Sequence, residues 1–171
     1  MIQTRPEAQI AGAAEHPVAL PTRCGMTLHV CTVVAEDEPV MAALFAALSP
    51  EDLRHRFLSA IRQVDPTRIR AMTRVDHDRT ESFLACAEGE AVAAAMLVVD
   101  EDGVEGEVAV VVRSDLKGHG IGWTMLEHLL RHARARGLKA VRSTRRATMS
   151  RRSHWSARWA SRSVRTIARM R

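Results

Sequence analysis

Tyrosine is absent from the 171 residues, and phenylalanine and tryptophan together make up only 4%. No phenol is therefore on hand as a general acid. Cysteine is scarce: Cys24, Cys31 and Cys86 show neither a CxxC spacing nor an even disulfide framework, which leaves reduced, mostly buried thiols and a cytoplasmic setting. Long apolar runs are missing too. The longest, Ala91 to Val99, is too short to cross a bilayer, and MIQTRPEAQIAGAAEH has no basic segment followed by an apolar one, so neither export nor a membrane span is expected. Acid is missing from the end of the chain: Arg142 to Arg171 holds ten arginines and no carboxylate. Setting those ten aside from the 25 basic residues leaves 15 against 20 acids, a net charge of −5, so the overall +5 belongs to the tail alone.

What is present suits one globular domain with a sizeable core, at 46% hydrophobic residues. Residues 1–26 read as a lead-in and linker, 27–143 as the folded domain, and 144–171 as a basic tail. TLHVCTVV (27–34) alternates as a strand. Helices are expected over 36–48, over 49–57 with Ser49 as cap and Pro50 at the first position, and over 65–74 with Asp65 as cap. SFLACAE (82–88) and AVAAAMLVV (91–99) read as strands joined by a tight turn. EGEVAVVVR (105–113) reads as a strand covered on both faces. A helix over 121–137 places Ile121, Met125, Leu129 and Ala133 on one face, Gly137 ends it, and LKAVRS (138–143) forms a last strand. The order predicts an α/β sandwich with a mixed sheet.

Between strand and helix lies Lys117-Gly118-His119-Gly120-Ile121-Gly122. Glycines before a helix let several backbone N–H groups and the helix N-terminus converge on one point that suits a phosphate, or they make a tight turn and nothing more. The spacing matches neither GxGxxG nor the P-loop.

VVVRSDLKGHGIGWTML resembles the acetyl-CoA signature of the GNAT acetyltransferase family. AEDEPVMAALFAALSPEDLRHRFLSAI and DPTRIRAMTRVDHDR extend the likeness to the acetyltransferase domain of bacterial protein lysine acetyltransferases, over roughly residues 18–143. The resemblance implies a GNAT-like mixed sheet sandwiched by helices and acetyl transfer from acetyl-CoA to a primary amine, protein lysine or small molecule. It implies that the central strand splays from its neighbour beyond Val112, that Val110, Val111 and Val112 lie along the pantetheine arm, and that Lys117, Gly118, His119, Gly120, Ile121 and Gly122 hold the pyrophosphate. Glu107 is the implied general base and Glu105 its rival. No metal is implied, since Asp76-His77-Asp78 falls on a loop of the family. His128 and His132, four residues apart, read as a solvated helix flank. Trp123 replaces a basic residue usual in such proteins.

After residue 143 the family continues with a helix and further strands, for which this chain supplies arginine and serine; that helix and the last strands are expected to be missing. Shifting the frame by taking the third base of each codon with the first two of the next forces Leu at His154-Trp155, Gly at Trp159-Ala160, and Asp, Asn, His or Tyr at Ala147-Thr148 and Thr148-Met149. That spacing agrees with the family pattern, so the tail reads as an out-of-frame, disordered segment that impairs turnover. Two other readings remain: non-specific binding of nucleic acid or an anionic surface through the arginines, with Trp155 and Trp159 stacking on bases, and a non-catalytic acetyl-CoA-binding module.

Overall fold

A computed structural model describes residues 17–57, 61–144 and 165–169. Among the described residues seven strands form one sheet in chain order: β1 (Val18–Pro21), β2 (Thr27–Thr32), β3 (Thr80–Ala87), β4 (Glu90–Val99), β5 (Glu105–Val112), β6 (Ala140–Thr144) and β7 (Arg165–Arg169). Neighbours are antiparallel except β5 and β6. A parallel pair needs a crossover, and the helix α4 (Ile121–Ala135) supplies it.

Helices α1 (Glu38–Ala46), α2 (Pro50–Phe57) and α3 (Pro66–Thr73) lie between β2 and β3 in sequence. Their starts follow the capping logic. The Asp52 amide donates to Ser49 Oγ at 3.2 Å, and the Arg68 amide donates to the Asp65 carboxylate at 3.1 Å. Glu88-Gly89, with φ of 51° and 78°, makes the tight turn between β3 and β4.

Each sheet face carries its own core. Ile121, Met125, Leu129 and Ala133 of α4 are all at most 1% exposed and pack on Leu28, Val30, Phe83, Leu97 and Val108. On the other face Met41, Phe45, Leu53, Ile69 and Met72 cover Cys31, Leu84, Cys86, Ala94 and Val111. With both faces covered, β3 to β5 tolerate unbroken apolar runs. Gly106 sits where the layers press closest: a Cβ there would lie 2.8 Å from Leu97 Cδ1 and 3.2 Å from the Val98 carbonyl oxygen.

Two expectations change. The stretch expected as a linker up to residue 26 contains β1, which pairs Val18 with Val30 and Pro21 with Thr27. Four residues ending in proline are too few to display a period of two, so pairing with β2, rather than pattern, makes this a strand. The tail was expected to contribute no strand, yet Arg165–Arg169 pairs antiparallel with Ala140–Thr144. Ladder formation draws on backbone N–H and C=O groups that arginine offers as readily as valine. The remaining tail positions, including Trp155, Trp159 and the codons of the shifted frame, lie outside the described residues. Among the described residues no helix is long and apolar enough to cross a membrane.

Candidate active site

The ladder between β4 and β5 runs as far as Ala93 opposite Val112, whereas the ladder between β5 and β6 ends at Val108 opposite Ser143. Ala109 to Val112 therefore present a backbone edge that no strand occupies among the described residues. The opening begins after Val108, earlier than the expected point beyond Val112. The cause is length: β6 joins at Ala140 opposite Glu105 and ends at Thr144, and parallel strands advance in step.

That edge leads into the glycine turn. A short 3-10 turn, Ser114–Leu116, precedes Lys117; Gly118 and Gly120 adopt φ of 86° and 78°, which glycine alone takes without strain. Gly120 is the N-cap of α4 and offers no side-chain acceptor, and the first turn of the helix holds no acid. Its carbonyl receives the Trp123 and Thr124 amides at 3.1 and 3.0 Å, while the amides at the helix start meet no capping side chain. At Gly122 a Cβ would sit 3.4 Å from Val112 Cγ2, so the helix start is drawn close to the end of β5. Val110, Val112 and the turn 117–122 are thus contiguous, with Val111 turned into the core beneath α1 to α3.

Lys117 belongs to the turn through its backbone, but its ammonium pairs with Asp52 of α2. Asp52, whose side chain is 9% exposed, also accepts from Ser114 Oγ at 2.5 Å and Ser49 Oγ at 2.9 Å. Burial pushes this carboxyl up, and the donations from Lys117, Ser114 and Ser49 outweigh it, holding the group below its ordinary value. The Ser49 amide donates to Ser114 Oγ at 2.8 Å, so α2 and the approach to the turn are tied at two points. Sequence reading missed this network: an acid in a first helical turn looks like a response to the helix dipole, and its partner is 65 residues away.

The two candidate bases part company. Glu105 is paired with Arg142. Glu107 stands opposite Val98 and Arg142 in the ladders, is exposed, and by alternation shares its face with Val111. On that face is Arg56 of α2, whose pKa burial lowers and the charge of Glu107 raises. A cavity of about 10 Å³, room for about one water, lies beside it, lined by Arg56, Met72, Ser82, Met96, Ala109 and Val111 among others. A separate cavity of about 1090 Å³ between α1 and α3 is lined by none of the residues nominated from sequence.

Asp76, His77, His128 and His132 are engaged within the fold. Asp76 accepts the amides of Asp78, Arg79 and Thr80 at 2.9 to 3.1 Å, and His77 Nδ1 meets Glu81 at 2.7 Å. Among the described residues no group of three or more such side chains is placed to hold a metal. His128 and His132 are half-buried, not solvated: both stand edge-on to Phe83, at 4.8 and 5.1 Å, and burial pushes both below the ordinary histidine value.

The architecture has known counterparts. The GNAT domain of S. lividans PAT superimposes with a TM-score of 0.70 at 22% identity, over 76% of this chain and 78% of that one. Mycobacterium smegmatis RimJ in complex with CoA-disulfide gives 0.60 at 17%, over 81% and 71%. RimL, a ribosomal L7/L12 alpha-N-protein acetyltransferase in complex with coenzyme A, gives 0.59 at 13%, over 74% and 73%. At such identities these likenesses establish the fold. The family described as Acetyltransferase (GNAT) matches residues 41–154, more than half of the chain, and the chain therefore belongs to the GNAT acetyltransferase family.

Proposed function

We propose that this protein is an acetyl-CoA-dependent N-acetyltransferase whose acceptor is a primary amine, on a protein lysine or a small molecule. The observation that carries the reading is the continuity of the β5 edge, Ala109 to Val112, on which no strand pairs among the described residues, with the N-terminus of α4, which has no side-chain cap. An amide-bearing pantetheine arm has the donors and acceptors to complete that edge, and a pyrophosphate suits the amides of Gly118 to Gly122. The thioester end then lies toward the middle of β5, on the way to Glu107.

An amine attacks only when neutral. Glu107 takes the ammonium proton, directly or through a water, the nitrogen adds to the thioester carbonyl, and the adduct gives a second proton to water as it collapses to the amide and releases the thiolate of CoA. A free thiol with a pKa of about 8.5 leaves readily as its anion and takes a proton from solvent, which suits a chain without tyrosine. Arg56, on the same face, lies within electrostatic reach of Glu107. We place the reaction in the cytoplasm, the compartment that keeps an exposed thiol such as Cys24 reduced.

The test is thiol release from acetyl-CoA with lysine peptides and small amines as acceptors. Glu107→Gln should lower kcat by about 10²- to 10⁴-fold while acetyl-CoA still raises the melting temperature. Stabilisation by acetyl-CoA without turnover in the unsubstituted chain would instead identify a module that binds the cofactor and does not react it.

A further inference from the structure

The glycine turn is short of cations. Lys117 is paired with Asp52, and Arg113 is held by Glu90 at 2.7 Å and Asp115 at 2.9 Å. The charge comes from another element. The turn between β1 and β2, Thr22 to Gly25, lies against the glycine turn: a Cβ on Gly120 would be 3.4 Å from the Arg23 amide nitrogen, and Cys24 Sγ donates to the His119 carbonyl. Arg23 projects its guanidinium over the indole of Trp123, 5.2 Å from the ring centroid, in the first turn of α4. The indole is itself anchored, its Nε1–H donating to Glu127 at 2.5 Å. Among the described residues Arg23 pairs with no carboxylate.

We propose that Arg23 determines cofactor specificity by pairing with the ribose 3′-phosphate of acetyl-CoA. The proposal rests on the cofactor reading above and adds to it a residue and a discrimination. A CoA laid with its pantetheine on the β5 edge and its pyrophosphate on the turn amides leaves the turn at the start of α4, where the β1–β2 turn closes in. The next charged group along the molecule is the ribose phosphate, a monoester whose oxygens match a guanidinium fork. Stacking on Trp123 holds that fork in place, so little ordering is required on binding. The tryptophan that removed a cation from α4 thereby seats one from β1–β2.

Calorimetric titration of the full chain with CoA and with 3′-dephospho-CoA tests this. The unsubstituted chain should prefer CoA by about tenfold; Arg23→Gln should abolish the preference while its Kd for 3′-dephospho-CoA stays unchanged, and Arg23→Lys should keep part of it. That unchanged Kd also reports that the variant is folded. A preference intact in Arg23→Gln, or absent from the unsubstituted chain while both nucleotides bind, overturns the role of Arg23. Failure of the unsubstituted chain to bind either nucleotide overturns the cofactor site itself, and the role of Arg23 with it.

Discussion

Asp52 shows how one buried carboxylate organises a site that it does not enter. It holds Lys117, Ser114 and Ser49 together, and its pKa is lowered from 3.8 because those donations outweigh burial. A folded-state pKa below the unfolded value means that the folded protein binds the proton less readily, so the contribution to stability is full above pH 3.8 and is lost as pH falls through the folded value. Asp52→Asn should remove that part of the acid dependence. Denaturant unfolding between about pH 5 and pH 2 should show a shallower slope in the variant, with its largest deficit at neutral pH. Because the network leads to the turn, the variant should also weaken acetyl-CoA binding more than it lowers kcat. The cysteines behave differently: burial pushes Cys31 up to about 11 and Cys86 to about 12, which keeps both as neutral thiols within the core.

Among the elements, β5 carries the most. It is antiparallel to β4 from Gly106 to Val112, parallel to β6 for four residue pairs, and from Ala109 onward its other edge meets no strand among the described residues. Close packing of Gly106 on Leu97 and Val98 fixes how the strand sits before it splays. Gly106→Ala should destabilise the protein by about 1–3 kcal/mol, since a carbonyl oxygen and a core leucine must both give way, and thermal melting should show it without ligand present. The helices α1 to α3 were legible because their signals are local: prolines in first turns, Ser49 and Asp65 as caps, apolar spacing. The strand β1 was not, because four residues carry too little pattern. The glycine turn was legible for a physical reason as well, since the left-handed backbone at Gly118 and Gly120 admits little else.

Across the whole molecule, the sheet ends on a strand drawn from the arginine-rich tail. Pairing of β7 with Ala140–Thr144 covers the edge that β6 would otherwise present to solvent and to other chains. Deleting residues 145–171 should lower the melting temperature and raise light scattering on concentration. A chain re-encoded in the shifted frame from codon 147 should melt higher than either, because that frame supplies leucine and glycine at spacings suited to a packed helix and strand. Equal stability of the deleted and full-length chains would show that β7 contributes nothing.

Periodicity, caps and glycines act between residues close in the chain, and they suffice for the α/β class, the order from β2 to β6 and the place of the glycine turn. Contacts across tens of residues decided the rest. Where the sheet opens depends on the length of β6, Glu105 is taken up by Arg142 while Glu107 shares its face with Arg56, and the cation beside the turn comes from a hairpin 95 residues earlier in the chain. Such contacts carry no local signature, because only folding brings the partners into reach.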